Sequence, residues 1–558
     1  MKTIKIFLYA SLAGSLALST GCDENFLDIN ATDRVSDASI VSDSTLFEGF
    51  VINRYMGIRL TEKEGEGTPP GFGRGFEYAL WSSLTDESIY NNDDNTWVIQ
   101  RGQLAPENLG IAGTLWGRSY RSIRECNYAL KNIGAVVMSE ARKNLLTAEL
   151  KFIRAYRYHD LIRNYGEVVL LGDNVPNLGD DFLDPGFFQK SSIADAIEYV
   201  AGELDEAAAG LPLNNSSGWP LGRATKGAAM ALKARLLLYA ASPLYNAGSW
   251  VEAAQAAKDV MELGKYNLHG DYQSLFLDEN SQEIIFERLY RVGTRHVCLE
   301  ISNGPNGYGG WGGNTPLQNL VDAYEVVVDE NTAVPFDWNN PDHVNNMYEN
   351  RDPRFYSTIL HNGAPYRGRQ VETFIPGGAD SRDGNDNWNT SKTGYYLRKF
   401  IDENLPIQNP WDVAGIQPWI YIRYGEVLLN YAEAQNEAAG PDETVYEAVN
   451  LIRDRAGMPD LPAGLTKEQM REAIRRERQV ELAFEEHRFY DVRRWMIAME
   501  TENVPAYGIQ IEKDGDTFTY TRKVAIDGRS FKEQHYWLPI PRSEIQSSNN
   551  QLQQNPKY

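Results

Sequence analysis

Apolar residues at helical spacing, with small residues where two helices would meet, constrain this chain more than any other feature. Leu145, Ala148, Phe152, Ala155, Tyr156 and Ile162 recur at spacings that predict one helix with a single apolar stripe. Gly227, Ala231, Ala234 and Leu238, then Ala253, Ala254, Ala257 and Val260, predict two helices joined across 242–249, with Gly264 as the stop. Segments 421–437 and 444–455 repeat the design around Gly440 and Pro441. Small residues at the contact let paired helices approach closely, as in helix-turn-helix repeats of the tetratricopeptide kind, here with irregular periods. Segments 62–113 and 303–415 break the pattern, being rich in Gly, Asn, Asp, Pro, Trp and Tyr without a helical period. Long loops in a compact protein are either functional or disordered, and the aromatics argue for order. The expected fold class is therefore mainly α, a scaffold of helix pairs with a loop-rich, irregular half. It forms one continuous body: a part at about 22–300, a loop-rich insert at about 303–415 and a helical part at about 416–558.

The first residues read as an address. Lys2 and Lys5 precede a mostly apolar run from Ile6 to Leu18. At about 1.5 Å per residue that run spans roughly 20 Å, short of a ~30 Å hydrocarbon core, so 1–21 reads as a signal peptide and not an anchor. Ser19, Thr20 and Gly21 run into Cys22 in the order of a bacterial lipobox, although Ser19 stands where Leu is usual. That order predicts acylation of Cys22, and several acyl chains anchor stably where one does not.

Composition excludes several functions. With 54 Lys+Arg against 77 Asp+Glu, the net charge of −23 opposes nucleic-acid binding, which draws its affinity from neutralised phosphates. The aromatic content of 11% speaks for a packed core. Three cysteines cannot build a disulfide scaffold, and no CxxC pair, HExxH helix or nucleotide loop occurs. Cys126 and Cys298 need no bond, and Cys126 reads as a small buried residue. His159, on the stripe of its helix, reads as a satisfied core histidine, and the seven histidines show no i, i+4 ligand pair. Glu477, Glu481 and Glu485 stand four apart among Arg475, Arg478, Arg488, Arg493 and Arg494, which predicts partly buried ion pairs fixing helices. A carboxylate pair for glycoside hydrolysis cannot be read from so many acids.

A family resemblance emerges from the motifs taken in order. They are Trp116, Arg118 and Tyr120 with Ile123 and Asn127; Glu149, Phe152, Arg154 and Tyr156 followed by Asn164, Tyr165 and Gly166; Arg223, Thr225 and Lys226; and Asp352, Pro353 and Arg354. Then come Arg423, Tyr424 and Glu426; Tyr431 and Glu433; Ile452, Arg453, Arg455 and Pro459; Glu477, Glu481 and Phe484; Arg488, Asp491 and Arg494; Pro539 and Pro541; and the terminal Gln554, Asn555 and Pro556. Together they resemble the SusD/RagB family of surface lipoproteins. Glu486 and Lys557 stand where that family usually has Gly. The resemblance implies about four tetratricopeptide-like helix pairs and a loop-rich half. It also implies capture of oligosaccharides, or in some members peptides, without catalysis. The acidic run Asp23, Glu24 and Asn25 resembles a cell-surface export signal. The partner implied is a SusC-like, TonB-dependent outer-membrane transporter, with the protein lipid-anchored through Cys22.

A neutral sugar offers apolar C–H faces and a rim of hydroxyls, which flat aromatics and amides can hold. Two stretches supply that mixture. One holds Trp81, Asp86, Tyr90, Asn95 and Trp97, and the other holds Tyr308, Trp311 and Asn314. In the family that the chain resembles, ligand contacts come from loops in these two regions. Glycines beside Tyr308 and Trp311 are expected to leave a ring standing clear of its backbone. Trp338, Trp388, Trp411 and Trp419 have no family position to recommend them. The run 91–95 reads as a solvated turn more readily than as a structural calcium loop, since it lacks the Gly and terminal Glu of an EF-hand. No catalytic, metal or cofactor residue is expected.

Overall fold

The computed structural model describes residues 37–56, 72, 76–176, 180, 184–405 and 415–558. Cys22, the leader and Trp411 lie outside the described residues. Helices α1 (Leu115–Asn132), α2 (Glu140–Tyr165), α3 (Ile193–Gly210), α4 (Lys226–Ala241) and α5 (Trp250–Met261) each pack on the next in chain order. The series continues with α6 (Tyr424–Ala439), which packs on α5, and α7 (Glu443–Ala456), which packs on α6. Helix α8 (Lys467–Glu481) also packs on α6, and α9 (His487–Arg494) follows. Starts are fixed by polar caps. Ser139, Ser192, Thr225, Ser249 and Asp442 each accept a hydrogen bond from a first-turn backbone N–H, a device worth about 1 kcal/mol apiece.

The loop-rich insert separates α5 from α6 in sequence but not in space, and a short strand pair explains why. Strand β2 (Ile284–Arg288), after α5, pairs antiparallel with β4 (Trp419–Arg423), directly before α6. The excursion therefore leaves and returns at one place. Two further strands, β1 (Ser88–Tyr90) and β3 (Asn314–Pro316), pair with each other, and β5 (Ala506–Asp514) and β6 (Thr517–Ile526) form a hairpin. The expected helix at 421–437 starts three residues later than the periodicity predicts. Its first residues are the end of β4, a continuous apolar run whose period cannot tell strand from buried helix.

Helix α2 departs from the one-stripe expectation. Every residue from Phe152 to Tyr165 is buried. The polar ones are held inside: Arg154 bonds Glu203 at 2.7 Å, Asp173 at 2.8 Å and Asn127 at 2.7 Å. His159 is a core histidine as expected but is not satisfied, because neither ring nitrogen has a hydrogen-bond partner. Burial holds it well below the usual histidine range, so the neutral ring sits between Tyr156 and Tyr239. Cys126 and Cys298 are free and buried.

The acids of the last third are structural, with a geometry the spacing did not give. Helix α8 ends at Glu481, so Glu485 lies in the following turn. These acids reach across the fold and not to neighbours on their own helix. Arg423 bonds Glu283, Glu481 and Glu485, each at 2.7 Å, and Arg354 bonds Glu481 at 2.9 Å. Arg455 adds a further bond to Glu481. Burial alone would push Glu481 up, but Arg455, Arg423 and Arg354 hold it well below the usual carboxylate range. Arg478 and Arg494 converge on Asp491 at 3.0 and 2.8 Å.

Candidate functional site: the loop-rich face

The two stretches singled out in the sequence meet. In the β1–β3 pair Tyr90 stands opposite Asn314, and the Asn91 N–H donates to the Gly313 carbonyl at 2.7 Å. A third segment, 380–393, closes on both. Asn91 donates to the Thr390 carbonyl at 3.0 Å and accepts from the Lys392 N–H at 3.0 Å, while Asn306 donates to the Asn385 carbonyl at 2.7 Å.

Half of the expected residues face inward. Trp81 is fully buried, 4.5 Å from the Phe489 ring of α9, and offers no face to a ligand. Asp86 is buried in a bidentate pair with Arg488 at 2.8 and 2.7 Å. Asn314 accepts from the Leu80 N–H at 2.9 Å and from Ser83 at 2.8 Å, and donates to the Tyr78 carbonyl at 2.7 Å. Tyr90 is buried as well. The expectation of ligand contacts from Trp81, Asp86, Tyr90 and Asn314 is corrected accordingly. They build the floor of the face, Tyr90 and Asn314 on the buried β1–β3 pair and Trp81 and Asp86 held against Phe489 and Arg488 of α9.

The remaining four are nearer to solvent. Asn95 is exposed, at the end of three successive left-handed residues, Asp93 to Asn95, and Asp93 caps the Trp97 N–H at 2.9 Å. Trp97 is half-buried under two cations, with Arg101 at 4.3 Å and Lys392 at 4.9 Å from its ring. Tyr308 is half-buried, donates to the Tyr366 carbonyl at 2.7 Å, and carries the Arg369 guanidinium 3.8 Å above its ring. Burial pushes its phenol up to about 12. Trp311 is half-buried against Cys298 and Ile301 and meets Tyr78 at 6.3 Å. Among the described residues no group of three His, Cys, Asp or Glu could hold a metal ion.

The glycines do something other than expected. A Cβ at Gly310 would lie 2.1 Å from the Gly304 carbonyl oxygen, and one at Gly312 would lie 2.7 Å from that of Asn389. They permit backbones to touch. The second contact brings the chain together one residue beyond Trp311 and one residue beyond Trp388. Trp388 is 70% exposed, the only exposed tryptophan among the described residues. Around it stand the exposed Asn385, Asp386 and Asn387, and Asn389, whose buried amide oxygen has no partner. Sequence reasoning passed over Trp388. The signal available was its setting, 380–390, too polar to bury an indole.

Comparison with known proteins decides the family. A family model described as SusD family matches residues 258–558. A SusD-like protein of Bacteroides fragilis superposes with a TM-score of 0.77 at 30% identity, covering 94% of this chain and 99% of that one. The chain belongs to the SusD family. A second model, described as starch-binding associating with outer membrane, matches residues 76–238 of this SusD-family chain. Another Bacteroides fragilis structure, of a SusD-like carbohydrate binding protein, gives a TM-score of 0.76 at 26% identity, over 92% of this chain and all of that one. SusD-like protein P2 of Formosa agariphila is 23% identical across 86% of this chain and 90% of its own length. The SusD fold thus frames the face formed by 91–97, 307–314 and 380–393.

Proposed function

We propose that this chain is a non-catalytic glycan-capture lipoprotein of the outer-membrane surface. It delivers oligosaccharides to a SusC-like, TonB-dependent transporter. Residues 1–21 are removed and Cys22 carries the lipid anchor. One observation carries the reading: the exposed Trp388 and the half-buried Trp311 lie on loops whose backbones touch at Gly312 and Asn389, with the exposed amides of Asn385 and Asn387 next to Trp388 in the chain. A sugar needs aromatic faces with amides at the rim, and these loops supply both residue types. The description of a relative as a carbohydrate binding protein supports the ligand class. Trp97 and Tyr308 contribute only where a ligand displaces the cations over their rings. The acids of the C-terminal motif are locked by guanidinium groups, and Glu481 is held ionised, which suits a scaffold better than a general acid.

Calorimetry of the purified protein against a panel of neutral oligosaccharides and a matched panel of peptides tests this. Binding of at least one oligosaccharide, with no release of reducing ends, is the expected outcome. Binding confined to peptides, or turnover of any glycan, overturns it.

A further inference from the structure

The end of the β5–β6 hairpin joins the loop-rich face, and it brings charge. Trp97 packs with Ala525 against Ile89, Leu317, Ala506 and Ile526, which sets the end of β6 beside the 91–97 turn. Lys523 of β6 stands opposite Gly508 of β5, and a Cβ at Gly508 would lie 2.6 Å from the Thr393 carbonyl oxygen. The hairpin therefore abuts the residue after Lys392. Lys392 and Arg101 stand over the Trp97 ring, 4.9 and 4.3 Å from its centre. Burial lowers the Lys392 ammonium, Asp93 partly restores it and Arg101 lowers it again, while burial and then Arg382 lower Lys523. Arg101, Lys392, Arg382 and Lys523 are thus like charges gathered around one ring, and among the described residues none of them forms an ion pair.

Composition does not explain this, since the chain has 77 acids to 54 bases. Acids of the same segments are engaged elsewhere: Asp93 caps the Trp97 N–H at 2.9 Å, Asp383 accepts from the Gly377 N–H at 3.1 Å, and Asp380 holds Arg369 at 2.6 and 2.9 Å. A neutral sugar stacking on Trp97 would have to displace both cations and offer them nothing better. An anion draws them off the ring and repays the loss through charge-assisted hydrogen bonds, roughly twice as strong as neutral ones. The net charge of −23 opposes a long polyanion such as nucleic acid, which leaves a short acidic chain. Building on the glycan-capture reading above, we propose that the captured glycan is anionic. A sugar bearing a carboxylate or a sulfate ester stacks on Trp97 with its charge held by Arg101 and Lys392, and Arg382 and Lys523 meet a further charge along the chain.

Calorimetry of the full chain with acidic oligosaccharides and their neutral twins tests the charge. Oligomers of galacturonate, glucuronate and mannuronate are each paired with their methyl esters, and sulfated galactan fragments with the desulfated chains, so the arm that responds tells carboxylate from sulfate. At least one acidic member should bind about tenfold tighter than its twin, and the advantage should shrink as salt screens the charges. Arg101→Gln/Lys392→Gln should abolish the advantage, whereas Arg101→Lys/Lys392→Arg, which keeps both charges, should retain most of it. Circular dichroism confirms that each variant is folded. Neutral twins that bind as tightly as every acidic member would overturn this inference and leave the glycan-capture reading standing. An acidic preference untouched by Arg101→Gln/Lys392→Gln would overturn the assignment to Trp97 and its cations. Absence of binding by every glycan, acidic or neutral, would overturn both readings together.

Discussion

Glu486 and Lys557 hold left-handed backbone at φ +68° and +72°, and both stand where the family pattern has Gly. A Cβ in that region costs about 1 kcal/mol, so the family's glycines have a conformational cause that this chain forgoes. Lys557 is half-exposed and pairs with the exposed Glu533, a contact worth little in water. Lys557→Gly should therefore stabilise the fold by up to about 1 kcal/mol, read as a higher melting midpoint. A lower midpoint would show that the ion pair outweighs the strain. Single residues were also where the sequence was least legible. Trp81, Asp86 and Asn314 have the composition of a sugar site, and residue type says nothing of orientation. Their direction is set by contacts between segments far apart in the chain, Asn314 by the β1–β3 pairing and Trp81 and Asp86 by Phe489 and Arg488 of α9.

Elements were read more successfully, and for a physical reason. The predicted connection at 242–249 lies between an observed helix end at Ala241 and start at Trp250, because Ser249 caps and the Ala-rich faces carry their own period. What periodicity missed is charge inside helices, as along α2. Another instance joins α4 to α6: Arg235 bonds Glu426 at 2.7 Å, both fully interior. Burial alone would push Glu426 up, yet Arg235 and His487 pull it down from 4.5 to about 2. A lowered folded-state value means stability that is present above pH 4.5 and lost as pH falls through about 2. Glu426→Gln should cost on the order of 3 kcal/mol at pH 7, and the penalty should shrink as acid protonates the wild type below pH 4.5. Denaturant unfolding across that range measures it. A penalty independent of pH would show that packing, and not charge, joins the two helices.

At the scale of the molecule, paired helices hold one irregular face, and the β2–β4 stitch lets two of its three segments, 307–314 and 380–393, be inserted without parting α5 from α6. The motif order made the fold legible, since cap, period and small-residue signals agree along the helical parts. The face itself was half legible. Its segments 91–97 and 307–314 were named, while 380–393, with no period and no family motif, escaped. The central claim is that Trp311 and Trp388 serve mainly to grip a glycan and contribute little to the fold. Its most direct test is calorimetric titration of Trp311→Ala/Trp388→Ala with the oligosaccharide that the wild type binds, beside its thermal melting. The account predicts affinity reduced about a hundredfold, near 1.4 kcal/mol for each ring, with only a small fall in the melting midpoint from the lost contact of Trp311 with Cys298 and Ile301. Full affinity together with a large fall in the midpoint would contradict it.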